Sequence, residues 1–186
     1  QNIPNTSNNF FSVQIEGITY VVVAMETDSS TTSQKEQAEK LAATLPPLIS
    51  NNSKVVVLGT IEGYAPSDSS FYTKRFRQIP ANVRTDKKII QQLAGYQRPS
   101  NYELVRAFTN SGLSDILGVL RKADDNFVHT YPTKVFGEMP SYNAYRYDYI
   151  LVVPALTANC KATTILQDET THYLSEHYPV LLELSF

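Results

Sequence analysis

Tryptophan is absent from this 186-residue chain, cysteine occurs once, methionine twice and glycine seven times, and only 18% of residues are charged. With Cys160 as the single cysteine, an intrachain disulfide and a thiolate metal cluster are both excluded, and no flanking pattern marks that thiol as a nucleophile. It reads as a buried or half-buried structural residue. No apolar run approaches the roughly 20 residues of a membrane-spanning helix; the longest are Tyr20–Met25 and Tyr149–Leu156, the second interrupted by a proline. No transmembrane segment is expected. Sixteen Lys and Arg against eighteen Asp and Glu leave a formal charge of −2, which removes the broad attraction to phosphate backbones and argues against nucleic acid as a partner. Neither a Gly-x-Ser-x-Gly elbow, nor a phosphate-binding Walker loop, nor a dinucleotide glycine fingerprint occurs. The three histidines, His129, His172 and His177, do not fall at helical i, i+4 spacing, so a histidine zinc site is not indicated.

What is present suits one globular domain with a substantial core, 42% of its residues being hydrophobic. Residues 1–9, rich in Asn and Ser, read as a flexible lead-in, and residues 10–186 as a single domain. Phe10–Ile15 and Ile18–Met25 flank Gly17 as a strand hairpin, the second strand apolar enough to be buried on both faces. From Gln34 to Ile49 the residues Ala38, Leu41, Ala42, Leu45 and Leu48 recur at spacings of three and four. That spacing predicts an amphipathic helix whose last turn is disturbed by Pro46-Pro47. Lys54–Leu58 reads as a buried strand ended by Gly59, which gives the strand–helix–strand order of an α/β protein. The stretch 64–100 is polar and shows only a weak helical patch at Asp86–Leu93. Tyr102–Thr109 and Leu113–Leu120 have helical spacing, Phe136–Asn143 is loop-like, and Arg146–Val153 and Tyr178–Leu184 read as strands.

Several short segments follow one another in a telling order: the strand Tyr20–Met25, Gly59-Thr60-Ile61-Glu62, Asn110-Ser111-Gly112-Leu113-Ser114-Asp115, His129-Thr130-Tyr131-Pro132, Arg146-Tyr147-Asp148-Tyr149 and Ser175-Glu176-His177. From about Phe10 onward this series resembles the C-terminal half of the endonuclease/exonuclease/phosphatase superfamily, the metal-dependent phosphoesterases that include exonuclease III and DNase I. The resemblance implies a DNase I-like α/β sandwich, abbreviated at its N-terminus. It also implies divalent-metal chemistry at a phosphoester, supported by a histidine–aspartate pair.

Carried across position by position, the family's functional residues are mostly replaced. Its strand-ending histidine falls on Glu26, its nucleophile-activating aspartate on Thr60, its phosphate-orienting asparagine on Glu62, and the aspartate of its closing Ser-Asp-His on Glu176; His177 and Asp148 are retained. The metal-binding glutamate and early asparagine of its N-terminal half have no counterpart. Threonine is neutral at any ordinary pH, Glu62 would repel a phosphate that asparagine orients, and the extra methylene of Glu176 shifts a carboxylate by an amount that can cost about a hundredfold in rate.

A catalytically inactive, phosphoesterase-like domain therefore leads: an exported binding or accessory subunit of a larger assembly, with no cofactor required. A truncated sandwich should expose the face its missing part would cover, so a protein partner or a homo-oligomer is expected. Low charge, abundant Asn, Ser, Thr and Tyr, and a start at Gln1 point to export to a cell surface, the periplasm or the extracellular space. The enzymatic alternative is a divergent metal-dependent phosphoesterase in which Glu62 and Glu176, with Glu26, Asp148 and His177, gather around Mg or Ca; the same carboxylates would also serve a calcium-dependent binder of carbohydrate or lipid headgroups. The basic runs Lys74–Arg77 and Arg84–Lys88 read as solvated faces. Tyr142, Tyr145, Tyr147 and Tyr149 read equally as a recognition surface or as strand alternation.

Overall fold

The computed structural model describes residues 10–25, 31–51, 54–81, 83, 102–122, 128–137 and 144–186. Strand β1 (Phe10–Ile15) turns back into β2 (Ile18–Ala24) through Glu16 and Gly17, both at positive φ. Two successive left-handed residues are what a tight hairpin turn matched to strand twist requires. Helix α1 (Thr31–Asn51) then returns the chain so that β3 (Val55–Thr60) lies parallel to β2. Chain order continues through a 3₁₀ turn at Pro66–Asp68, α2 (Ser69–Gln78), α3 (Glu103–Asn110), β4 (Ser114–Asp115), α4 (Ile116–Leu120), β5 (Asp148–Val152), α5 (Pro154–Thr157), β6 (Cys160–Ile165) and β7 (Val180–Leu184). Among the described residues the main sheet has five strands in the order β1-β2-β3-β5-β4, and β6 and β7 form a separate antiparallel pair.

The two faces of the main sheet are unequal. Val21, Val23, Val55, Val57, Tyr149 and Leu151 point to one side and join Ala38, Leu41, Leu45, Leu104, Val105 and Phe108 of α1 and α3 in a single buried cluster. The spacing of those helix residues is what binds the helices to the sheet. On the other face, pairing register sets Phe11, Val22, Leu58 and Ile150 in one row and Val13, Tyr20, Val56 and Val152 in the next. Here β5 is partly roofed by β7, but Phe11, Val13 and Ile15 at the β1 edge are 57%, 41% and 54% exposed.

Several expectations are corrected in detail. Helix α1 runs through Pro46-Pro47 to Asn51. An interior proline costs about 3 kcal/mol, and here Leu45, Leu48 and Ile49 pack on the core around the pair, which offsets that cost. Gly59 does not end β3 but lies inside it, because a Cβ there would sit 1.8 Å from the Val23 carbonyl oxygen on β2. Strand β2 is fully buried on one face only, with Tyr20 and Val22 half-buried on the other. The Leu113–Leu120 segment divides into β4 and α4, and the polar stretch after Tyr64 contains α2. The Asp86–Leu93 patch, the Arg84–Lys88 run and the 1–9 lead-in lie outside the described residues.

Arg146, just before β5, is 1% exposed. Its guanidinium grips Asp115 with two hydrogen bonds of 2.8 and 2.6 Å and donates from Nε to Asp68 at 2.7 Å. Burial alone would push the Asp115 carboxyl up, but the charge and hydrogen bonds of Arg146 hold it below the usual carboxylate range. Tyr149 lies under the guanidinium at 4.5 Å and donates its hydroxyl proton to the carbonyls of Gly63 and Arg146. Arg146→Ala strands the buried Asp115 carboxylate and leaves Asp68 with Arg121 alone, so a loss of about 3–5 kcal/mol is expected in urea denaturation.

Candidate functional site

At one end of the open sheet face, β3 and β5 place Thr60 directly opposite Asp148. Side chains paired this way in an antiparallel ladder share a face and lie within reach of each other. Thr60 donates its hydroxyl proton to Asp148 Oδ1 at 2.7 Å, and His177 Nδ1 donates to Asp148 Oδ2 at 2.7 Å. Both oxygens of Asp148 are thereby committed.

His177 is delivered by the loop before β7, and threonines fix that loop. Thr130, fully buried, accepts from the backbone N–H groups of Tyr147 and Asp148 through its hydroxyl, while its carbonyl accepts from the Tyr178 N–H. One residue thus ties the aspartate strand to the histidine loop. Thr133 adds two bonds: its N–H donates to the Glu176 carbonyl at 3.1 Å, and its hydroxyl donates to the Ser175 carbonyl. Thr130 had no signal in the sequence beyond membership of the His129–Pro132 segment, and Thr133, just after it, had none, because their role depends on chain contacts far apart in sequence.

The hydrogen bond that His177 donates to Asp148 raises the His177 pKa; burial opposes it, and the charges of Asp148, Glu62 and Glu176 add to the rise. Glu176 and Glu62 also raise Tyr131, after the larger effect of burial. Both glutamates therefore bear on the same space. Glu62 accepts from the Gln34 side-chain amide of α1 at 3.3 Å. The Tyr131 ring centre is 5.0 Å from that of His177 and 5.7 Å from that of Tyr147. Tyr147 and Tyr145 stack at 5.2 Å with their planes 3° apart, and Tyr64 backs them. The result is a half-buried tyrosine wall beside the histidine. Tyr149, by contrast, points to the opposite face as a core residue, and Tyr142 lies outside the described residues.

No protein-family profile and no curated protein matches the sequence. Solved structures do match the fold. A Neisseria 3′ phosphatase bound to a product DNA hairpin superposes with a TM-score of 0.69 at 20% identity, covering 98% of this chain and 67% of that one. A 3′–5′ exonuclease from Neisseria meningitidis gives 0.65 at 18% identity, with the same coverages. An AP endonuclease from Archaeoglobus fulgidus gives 0.67 at 16% identity, over 96% of this chain and 65% of that one. This chain has the DNase I-like fold. It spans about two thirds of the length of those neighbours.

Of the six positions carried over from the resemblance, Thr60, Asp148 and His177 are joined by hydrogen bonds, and Glu62 and Glu176 act on His177 through their charge. Glu26 lies outside the described residues. Among the described residues no three His, Cys, Asp or Glu side chains are grouped to hold a metal, and Asp148 accepts hydrogen bonds from Thr60 and His177. Arg75, from the basic run on α2, donates to the Ala144 carbonyl at 2.8 Å instead of facing the site. Cys160 is buried, with its thiol against the Leu156 carbonyl and its pKa raised by burial, in keeping with a structural role.

Two histidines titrate in opposite directions. Because the pKa of His177 is raised, the stability from its pairing with Asp148 is complete below the ordinary histidine value and is lost as pH rises through the folded value. The stability gap between wild type and Asp148→Asn, read by denaturant titration, should be larger at about pH 6 than at about pH 9. Burial and the charge of Arg75 push His129 down from 6.5 to about 4. Its contribution is complete above the ordinary value and falls as pH drops through that window, and His129→Gln should flatten the acid-side loss of stability.

Proposed function

We propose that this chain is a non-hydrolytic member of the phosphoesterase-fold proteins, exported to a cell surface or the periplasm and acting as a binding or accessory subunit. The observation that carries the reading is the Thr60–Asp148 hydrogen bond. A neutral hydroxyl occupies the place where the resemblance puts the activating carboxylate, and it holds the aspartate oxygen that faces it. His177 and Asp148 keep their pairing, yet Glu62 and Glu176 add negative charge beside the histidine where a phosphoester would have to sit. The potential there repels the anion that hydrolysis would need to bind. The fold neighbours are a 3′ phosphatase bound to a product DNA hairpin, a 3′–5′ exonuclease and an AP endonuclease; the charge at this site does not favour such activities here.

Assembly is supported by the open sheet face. The rows Phe11–Val22–Leu58–Ile150 and Val13–Tyr20–Val56–Val152 contain no charged side chain, and their exposure increases toward the β1 edge. Two copies of that face meet without like-charge repulsion, so a second copy of this chain is the partner we assign to it.

Two measurements test these readings separately. Purified chain given p-nitrophenyl phosphate, bis-p-nitrophenyl phosphate and a 3′-phosphorylated DNA duplex, with Mg, Mn or Ca, should show no turnover above background. Metal-dependent turnover abolished by His177→Ala overturns the non-hydrolytic reading and establishes the divergent phosphoesterase in its place. In sedimentation, wild type should run as a dimer and Phe11→Asp with Val13→Asp as a monomer of unchanged thermal stability; a monomeric wild type removes the second copy as the occupant.

A further inference from the structure

A cavity of about 440 Å³ opens between α4 and β6, and it shares no lining residue with the His177 site. Leu117, Leu120, Val128 and Ile165 give it an apolar wall, and Arg121, Lys161, Thr163 and Thr164 supply polar groups; among the described residues no acidic side chain lines it.

Two polar atoms of that wall are orphaned. The Arg121 side chain is 8% exposed, donates from Nη2 to Asp68 Oδ1 at 2.5 Å and to the Ser67 carbonyl at 3.2 Å, and lies with its guanidinium carbon 4.4 Å from the Phe71 ring centre. Its Nη1 is buried with no hydrogen-bond partner, and so is Thr163 Oγ1. A buried donor left unmade costs on the order of 1–3 kcal/mol, so two in one wall need a reason. Ligand oxygens that take up these groups supply one.

Charge narrows the class. Arg121 and Arg146 are balanced by Asp68 and Asp115, so that among the described lining residues exposed Lys161 is the positive charge with no ion-pair partner. A single positive charge suits a monoanion better than a doubly charged phosphate monoester. The four aliphatic side chains suit an apolar tail.

We propose that this cavity is a binding site for an amphipathic monocarboxylate. The tail lies against Leu117, Leu120, Val128 and Ile165, and the carboxylate takes the free donors of Arg121 and Thr163 beside Lys161. Occupation needs a small adjustment of the wall, because both orphan atoms are covered in the ligand-free chain.

The test is titration calorimetry of the full chain with decanoate, decanol and decyltrimethylammonium, all below their micelle-forming concentrations. Decanoate should bind at least about tenfold more tightly than either comparator, a difference of about 1.4 kcal/mol. Lys161→Glu should weaken decanoate about tenfold. Thr163→Val should weaken it as well while leaving thermal stability equal or higher, because that change removes an unsatisfied hydroxyl. Absence of decanoate binding overturns the proposal, as does equal binding of all three amphiphiles. Decanoate binding that survives both Lys161→Glu and Thr163→Val overturns it too and assigns the uptake to the exposed β1 face.

Discussion

The packing of this protein depends on a guanidinium with almost no access to water. Arg146 holds Asp115 and Asp68 together, and through them the start of α4, the 3₁₀ turn before α2 and the approach to β5. Removing three charges from water is costly, and the arrangement survives because nearly every polar edge of the guanidinium has a partner. The cost is shared with Arg121, which takes the second oxygen of Asp68, and with Tyr149, whose ring lies beneath the charge. Apolar packing alone could slide by a residue. A bidentate ion pair cannot, so the register of β5 is fixed at the point where it must deliver Asp148 two residues later.

The candidate site inherits that rigidity. Asp148 is reached from one side by Thr60 across the ladder and from the other by His177 from the loop before β7, with Thr130 bonded to both segments. The His177–Asp148 pair is thus held in place while Glu62 and Glu176 set the charge around it. Geometry and charge are separable here because they have different origins. Backbone pairing and a buried threonine position the dyad, whereas side chains at the strand ends, Glu62 and Glu176, set its potential.

The open sheet face and the α4–β6 cavity arise from a mismatch in the two layers. Among the described residues a two-stranded β6–β7 unit lies against a five-stranded sheet, and exposure of that face is highest at Phe11, Val13 and Ile15 on β1. Where the small unit meets α4 its concave side is left with aliphatic groups and unmatched polar atoms. Both features are surfaces that burial has not finished.

Much of this was legible in one dimension, because period and order are local properties. The hairpin at Gly17, the amphipathic face of α1 and the apolar run of β3 each follow from residue spacing, and the resemblance carried by the order of segments was enough to indicate the DNase I-like fold. Chain contacts decided the rest. Gly59 belongs inside a strand only because β2 passes so close, Pro46-Pro47 stays helical only because its neighbours reach a core, and Arg146 is a buried keystone rather than a surface charge only because two aspartates 31 and 78 residues away converge on it. Periodicity is set by the geometry of a single segment, but burial and charge pairing belong to segments that meet only when the chain has folded.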